Sequence, residues 1–238
     1  MSVKEKLNQE SMMKVLDTCY EKCLNGIPVV SPTVEKMATD YTHKNNSIET
    51  AAKSMINNQI AKCTTSGFLT GFGGAITLPV TIPANVGSVL YVQIRMIACT
   101  AYIAGYDLNS DQVQTLVYAC LAGVSITEVI KKVSVKFGEK FANNLIEKIP
   151  GKVLTKINQK VGMRFVTKFG EKGIINLVKL IPAVGALING GLDLFETKAI
   201  GNRAYKLFIE KDATMGMKKK GNDDTDYIEV EVEDSDFS

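Results

Sequence analysis

Apolar side chains recur every three or four residues through most of this chain, which is the spacing of amphipathic helices. The first predicted helix covers residues 3–25 and ends at Gly26, and Pro28 prevents its continuation. Ser31-Pro32 is a start signal for a second, short helix. A third predicted helix covers residues 47–65. The N-terminal quarter of the chain is therefore predicted to be helical.

The same spacing predicts helices in the rest of the chain as far as residue 211. Each start is marked by a residue that favours a helix N-terminus or ends the preceding helix. These start signals are Pro83, Ser110-Asp111, Ser125, Pro150-Gly151 and Pro182. Residues 227–232 alternate like a strand, but no run of such strands and no fixed-period repeat occurs. The predicted fold class is all-α, a single multi-helix bundle.

Residues 63–94 form an unusual stretch of 32 residues without a charge. Such a length raises the hypothesis of a transmembrane helix. Pro79 and Pro83 interrupt the stretch, many small polar residues occur in it, and Arg95 follows within the same predicted helix. These features favour a central or re-entrant apolar hairpin, broken by Gly and Pro, over a stable membrane span. The spanning alternative stays open at this point.

The formal net charge of +3 is unevenly distributed along the 238 residues. Residues 221–238 contain eight acids and no base, so the 28 bases and 17 remaining acids of residues 1–220 give +11. The acidic composition of residues 213–238 predicts a mostly disordered tail. A basic body predicts an anionic partner. The N-terminus leads into no signal-peptide-like apolar segment, so the expected compartment is the cytoplasm.

Twelve bases and only three acids occur between Lys131 and Lys179. Seven of the bases follow one another at every fourth position, beside apolar residues at helical spacing. They are Lys148, Lys152, Lys156, Lys160, Arg164, Lys168 and Lys172. The pattern predicts a basic amphipathic helix that contacts an anionic membrane surface. A solvated face of a bundle helix is the alternative, and nucleic acid is not favoured because no stacking or groove-reading motif accompanies the bases.

Four polar residues fall in or beside apolar helices, and we expect them to form a buried polar cluster. They are Gln93, Arg95, Asp111 and Asp193. A buried charge needs a partner, so Arg95 is expected to pair with Asp193 or Asp111. An internal ion pair that sets helix register is the favoured interpretation. A polar pocket for a ligand or ion between helices is the alternative.

The chain shows no recognisable catalytic, cofactor-binding or metal-binding motif. No Walker loop, GxGxxG or HExxH sequence occurs, and His43 is the only histidine. The five cysteines are odd in number and lie in helical contexts, which predicts reduced thiols. Cys19 and Cys23 share a helix face, but a zinc site needs more ligands. We therefore predict no catalytic residue, no cofactor and no metal.

Three stretches of the chain resemble the bacterial EcsC family, which is named from a protein encoded with the Ecs ABC transporter. The first is the Gly-rich apolar stretch that ends in Gln93-Ile94-Arg95 and continues to Ala104-Gly105-Tyr106-Asp107, and the second is Ser110-Asp111. The third comprises Ile181-Pro182-Ala183-Val184-Gly185-Ala186, Gly190-Gly191-Leu192-Asp193, Thr197, Ile200-Gly201 and Ala204, with Asn189 departing from the pattern. The resemblance implies an α-helical protein but transfers no catalytic residue.

The predicted organisation has three parts: an N-terminal helical segment (residues 1–46), an EcsC-like helical core (47–212) and the acidic tail (213–238). The functional hypothesis is a non-enzymatic protein, peripheral to the cytoplasmic face of the membrane, that contacts anionic lipid or a membrane protein complex. The alternatives are a helical bundle that binds a small molecule or lipid, and an insertion-competent membrane protein.

Overall fold

The computed structural model describes residues 8–64, 84–132, 146, 149–169 and 196–217. Within these ranges the helices are α1 (Gln9–Asn25), α2 (Val34–Lys44), α3 (Ile48–Thr64), α4 (Ala84–Ile103), α5 (Asp111–Ala122), α6 (Ile126–Lys132) and α7 (Gly151–Phe169). Helical backbone over residues 196–204 continues into a π-helical turn, Tyr205–Ile209, and the two together are α8. The described part of the chain contains no β-strand, only an isolated bridge between Ile27 and Ser31. The all-α prediction is confirmed.

Helix α4 forms the centre of the bundle. It packs against α1, α2, α3, α5 and α8, and every side chain from Leu90 to Ala101 is buried. An almost uncharged helix can be surrounded in this way because few of its side chains need water. The end of the uncharged stretch, from Leu90 to Ile94, therefore lies in the bundle core. Residues 65–83 lie outside the described residues, so the hairpin itself stays a prediction.

None of the helices that the structure describes has the length and apolar character needed to cross a membrane.

Helices α1 and α2 belong to the same packing unit as the rest of the bundle, because both contact α4. Asn8 and Ser11 form a capping box at the start of α1: the Ser11 amide donates to Asn8 Oδ1 at 2.8 Å and the Asn8 amide to Ser11 Oγ at 2.9 Å. Helix α1 therefore begins at Gln9, later than the predicted start at residue 3.

The start of α2 also differs from the prediction. Thr33 is its N-cap residue, and Thr33 Oγ1 accepts a hydrogen bond from the Lys36 amide at 3.1 Å. Ser31 instead shares a hydrogen bond with the Tyr91 hydroxyl of α4 at 2.5 Å. The start signal at Ser31-Pro32 is thus two residues early, because a tertiary contact uses the serine that could have capped the helix.

The later helix boundaries agree with the sequence signals. Helix α5 begins after Ser110 and ends at Gly123, whose φ of +65° is the left-handed conformation that glycine favours. Helix α6 follows Ser125, whose Oγ accepts from the Glu128 amide at 3.3 Å. Helix α7 begins at Gly151. Of the last predicted helix, the described part begins at residue 196, and residues 218–238 of the acidic tail lie outside the described ranges.

Candidate functional site

The basic helix α7 is held in the bundle by its apolar face. It begins after Pro150, whose carbonyl accepts from the amides of Val153 and Leu154 at 2.8 and 3.2 Å. The buried positions recur at helical spacing, and α7 packs against α1, α5 and α6. They are Val153, Leu154, Ile157, Val161 and Phe165. This apolar face lies inside the bundle, so α7 offers a partner mainly its polar face.

The basic residues predicted to contact an anionic surface have different environments. Lys148 and Lys172 lie outside the described residues. Lys152 is exposed, and Lys156 and Lys160 are half-buried. Lysine stems can be partly covered while the ammonium groups reach water. We call these last three residues the lysine row.

Arg164 and Lys168, in the second half of α7, contact other helices. Arg164 Nη1 donates to the carbonyl oxygens of Ala122, at 2.8 Å, and of Gly123, both at the C-terminal end of α5. A cation stabilises this end because the helix dipole places partial negative charge there. Lys168 Nζ contacts both carboxylate oxygens of Glu196, at 2.5 and 2.6 Å. Neither residue is therefore simply a solvated surface charge.

Arg203 of α8 joins these two cations, although sequence reasoning did not select it. Its guanidinium packs on Gly123, and its Nε is buried without a hydrogen-bond partner. Burial and the neighbouring Arg164 lower the pKa of Arg203, whereas Cys120 and Glu196 act in the opposite direction. The four charged side chains that meet here are Arg164, Lys168, Glu196 and Arg203, and we call them the arginine cluster.

A signal in the sequence could have identified Arg203. It lies three residues after Ile200 and four before Leu207, both of which are buried. These spacings place Arg203 on the buried face of its helix. A cation on such a face is uncommon and needs a partner, as was argued for Arg95 but not for this residue.

Gln93 and Arg95 of the expected polar cluster contact different parts of the bundle. Gln93 Nε2 donates to Thr197 Oγ1 of α8 at 3.0 Å. Arg95 Nη2 donates to the Pro32 carbonyl oxygen, before α2, at 2.7 Å, while its Nε is buried without a partner. Residues two apart on a helix are separated by about 200° around its axis, so they point to opposite sides. The two side chains do not form one cluster.

The expected pairing of Arg95 with Asp111 is wrong. Asp111 is exposed in the first turn of α5, where an acidic residue is favoured by the helix dipole, and it forms no ion pair with Arg95. Asp193 lies outside the described residues, so its pairing with Arg95 stays a prediction.

Buried cysteine thiols also lie in the bundle core. Cys23 Sγ contacts the Tyr91 carbonyl oxygen at 3.3 Å. Burial raises the pKa of Cys23 well above its ordinary value, and that of Cys99 to about 12. These thiols are neutral and covered, which makes them poor nucleophiles. In the described ranges, no three His, Cys, Asp or Glu side chains converge as a metal site would require.

The model of the EcsC protein family matches residues 4–209 of the chain, a range that contains all of α1 to α8. The match thus includes residues 4–46 of the predicted N-terminal segment. Searches of curated proteins and of solved structures found no significant match.

Proposed function

We propose that this chain, which belongs to the EcsC protein family, is a non-enzymatic helical protein acting at the cytoplasmic face of a membrane. Its partner is an anionic lipid surface or a membrane protein complex with acidic groups. The observation that carries the proposal is the orientation of α7. Its apolar face packs in the bundle, and the lysine row is exposed or half-buried on the same helix.

The charge distribution supports an anionic partner. Residues 1–220 carry +11, because nearly a third of the acids lie in the last 18 residues. Each Lys or Arg close to an anionic membrane surface contributes about 1 kcal/mol to binding. A few lysines on one face are therefore enough for reversible attachment that depends on salt concentration.

The proposal is tested by sedimentation with vesicles of phosphatidylcholine, with and without phosphatidylglycerol. The variant Lys152→Gln/Lys156→Gln/Lys160→Gln is expected to bind the anionic vesicles about a hundredfold more weakly, because three favourable contacts are lost. Wild-type binding should weaken as salt is added.

The matched control neutralises three lysines on α1 and α2: Lys22→Gln/Lys36→Gln/Lys44→Gln. It removes the same net charge and is expected to weaken binding much less. An equal loss in the two triple variants would show that only net charge matters. Failure of the wild type to sediment with anionic vesicles at low salt would refute the proposal.

A bundle that binds a small molecule or a lipid is the second candidate, and Arg95 favours it. This side chain is 4% exposed, and within the described residues it donates only to the Pro32 carbonyl. A guanidinium has five donors and suits a carboxylate or phosphate. Native mass spectrometry of the purified protein tests this candidate: an added ligand mass supports it, and the mass of the bare chain counts against it.

A further inference from the structure

We infer that Arg164 and Arg203 form a binding site for a phosphate group at the C-terminal end of α5. The group can belong to a lipid headgroup or to a soluble phosphate compound. If the phosphate belongs to a lipid headgroup, the inference rests on the proposed function, because it names the chemical group that the basic residues of α7 would contact at the membrane. If the phosphate belongs to a soluble compound, the inference does not depend on membrane binding.

The two guanidinium groups converge over Gly123. A Cβ atom at this position would overlap Arg203 Nη1 and would lie 3.2 Å from Arg164 Nη1. Gly123 also has a φ of +65°, and its amide donates to the Cys120 carbonyl oxygen at 3.3 Å as part of the helix cap. The missing side chain thus leaves room for both arginines at one point of the surface.

Within the residues that the structure describes, both guanidinium groups retain unused donors. Arg164 donates two hydrogen bonds there, both through Nη1, which leaves Nε and Nη2. In the described part of the chain no atom accepts a hydrogen bond from Arg203, and its Nε is buried. An arginine donates through five N–H groups in a planar fork that matches the oxygens of phosphate and carboxylate. The pair can therefore bind an anion without breaking a contact that the structure already contains.

The charge balance of the arginine cluster also favours an anion. Among the described residues, three cations face one carboxylate, that of Glu196, and Lys168 contacts both Glu196 carboxylate oxygens at 2.5 and 2.6 Å. The α5 C-terminus adds only about half a negative charge. Arg164 supplies the one cation that this helix end needs, so capping of α5 does not explain the presence of Arg203.

The donor arrangement favours phosphate over carboxylate. One guanidinium satisfies both oxygens of a carboxylate in a bidentate pair. Two converging guanidinium groups offer donors from two different planes. Such an arrangement suits the tetrahedral oxygens of a phosphate, whose larger charge also offsets more of the local excess.

The test is isothermal titration of the full chain with inorganic phosphate, at an ionic strength held constant with chloride. Saturable binding of one phosphate per chain is expected. Arg203→Gln is expected to weaken it by about tenfold or more, and Arg203→Lys to recover only part, because the charge returns without the fork. Lys198→Gln, at an exposed position on α8, is the control and should bind like the wild type. Far-UV circular dichroism and thermal unfolding confirm that each variant folds.

Vesicles separate the two sources of phosphate. If Arg203→Gln also loses binding to vesicles of phosphatidylcholine with phosphatidic acid, the lipid headgroup is the ligand. If only inorganic phosphate binding is lost, the ligand is a soluble phosphate. The inference is overturned if the wild type shows no saturable phosphate binding, or if Arg203→Gln binds phosphate like the wild type. If vesicle binding then depends on the lysine row alone, the proposed function is supported and only the phosphate site is refuted.

Discussion

Val29 combines a strained backbone with a fully exposed side chain. It has a φ of +65° and a relative exposure of 109%. The Val30 amide donates to the Ile27 carbonyl oxygen at 3.0 Å, and with Pro28 at the second position this is the pattern of a type II turn. The third position of that turn favours glycine, and a β-branched residue there is strained. Because the side chain touches solvent, no packing offsets the strain.

Replacing Val29 by glycine should therefore stabilise the protein. Left-handed backbone costs a residue with a Cβ about 1–2 kcal/mol, and the greater freedom of glycine in the unfolded chain offsets about 0.5–1 kcal/mol. The expected net increase in the free energy of unfolding is about 0.5–1 kcal/mol, measured by urea denaturation. The control is Val30→Gly, at a neighbouring position without positive φ, which should destabilise by a similar amount. Equal effects in the two variants would contradict the strain argument.

At the same scale, single polar residues show what the sequence could and could not predict. The burial of Gln93 and Arg95 was predictable because both lie in one strongly apolar helix, and their exposures are 3% and 4%. Their partners were not predictable, because Thr197 and the Pro32 carbonyl are brought near only by the packing of α8 and the α1–α2 turn on α4. The charge of Arg95 suggested Asp111 as its partner, whereas the neutral Pro32 carbonyl accepts its hydrogen bond.

At the scale of elements, a close approach joins α3 to α8. A Cβ atom on Gly201 would lie 2.7 Å from Ile56 Cγ2, and the Met96 side chain of α4 lies just beyond, at 3.5 Å. Gly201 and Ile56 are both buried. The γ-methyl of an isoleucine in a helix has little freedom to rotate away, so the two helices would have to separate to admit a larger residue.

Gly201→Ala should destabilise the protein although alanine is the better helix former. Overpacking a core contact costs about 1–3 kcal/mol, which exceeds the gain of about 1 kcal/mol in helix propensity. The matched control is Gly151→Ala at the exposed start of α7, where nothing lies within 4 Å of the added atom. That variant should be neutral or slightly stabilised. Thermal unfolding of both variants measures the difference. A Gly201→Ala protein as stable as the wild type would disprove the close approach of α3 and α8.

Helix positions followed from local sequence, whereas the surroundings of each helix did not. The ends of α5 and the start of α7 are marked by Ser110, Gly123 and Pro150, which act on the adjacent backbone. The apolar face of α7 was also predictable, but its partner was not, because bundle helices and a lipid surface cover such a face equally well. The structure shows α1, α5 and α6 against it.

At the scale of the whole molecule, the core encloses cysteine thiols in three different helices. Cys19 of α1, Cys99 of α4 and Cys120 of α5 each have 0% exposure. Burial penalises the thiolate and raises the pKa of each of these thiols from 9.0 to about 12. Burial also raises the pKa of Tyr20 and Tyr118, which make an edge-to-face contact. The native core therefore contains cysteine thiols and tyrosine hydroxyls that are neutral, and their ionisation would destabilise it.

This arrangement predicts a loss of stability at alkaline pH. The unfolded chain releases its thiol protons near pH 9 while the native chain keeps them, so the stabilising contribution is complete below that pH and is lost as the pH rises toward 12. Each thiol should lower the free energy of unfolding by about 1.4 kcal/mol per pH unit in this window. Urea denaturation under reducing conditions, with the slope taken between about pH 10 and pH 11, measures this effect. Cys99→Ala should flatten the slope by about one thiol's share, and a slope equal to that of the wild type would show that Cys99 ionises as easily in the native protein as in the unfolded chain.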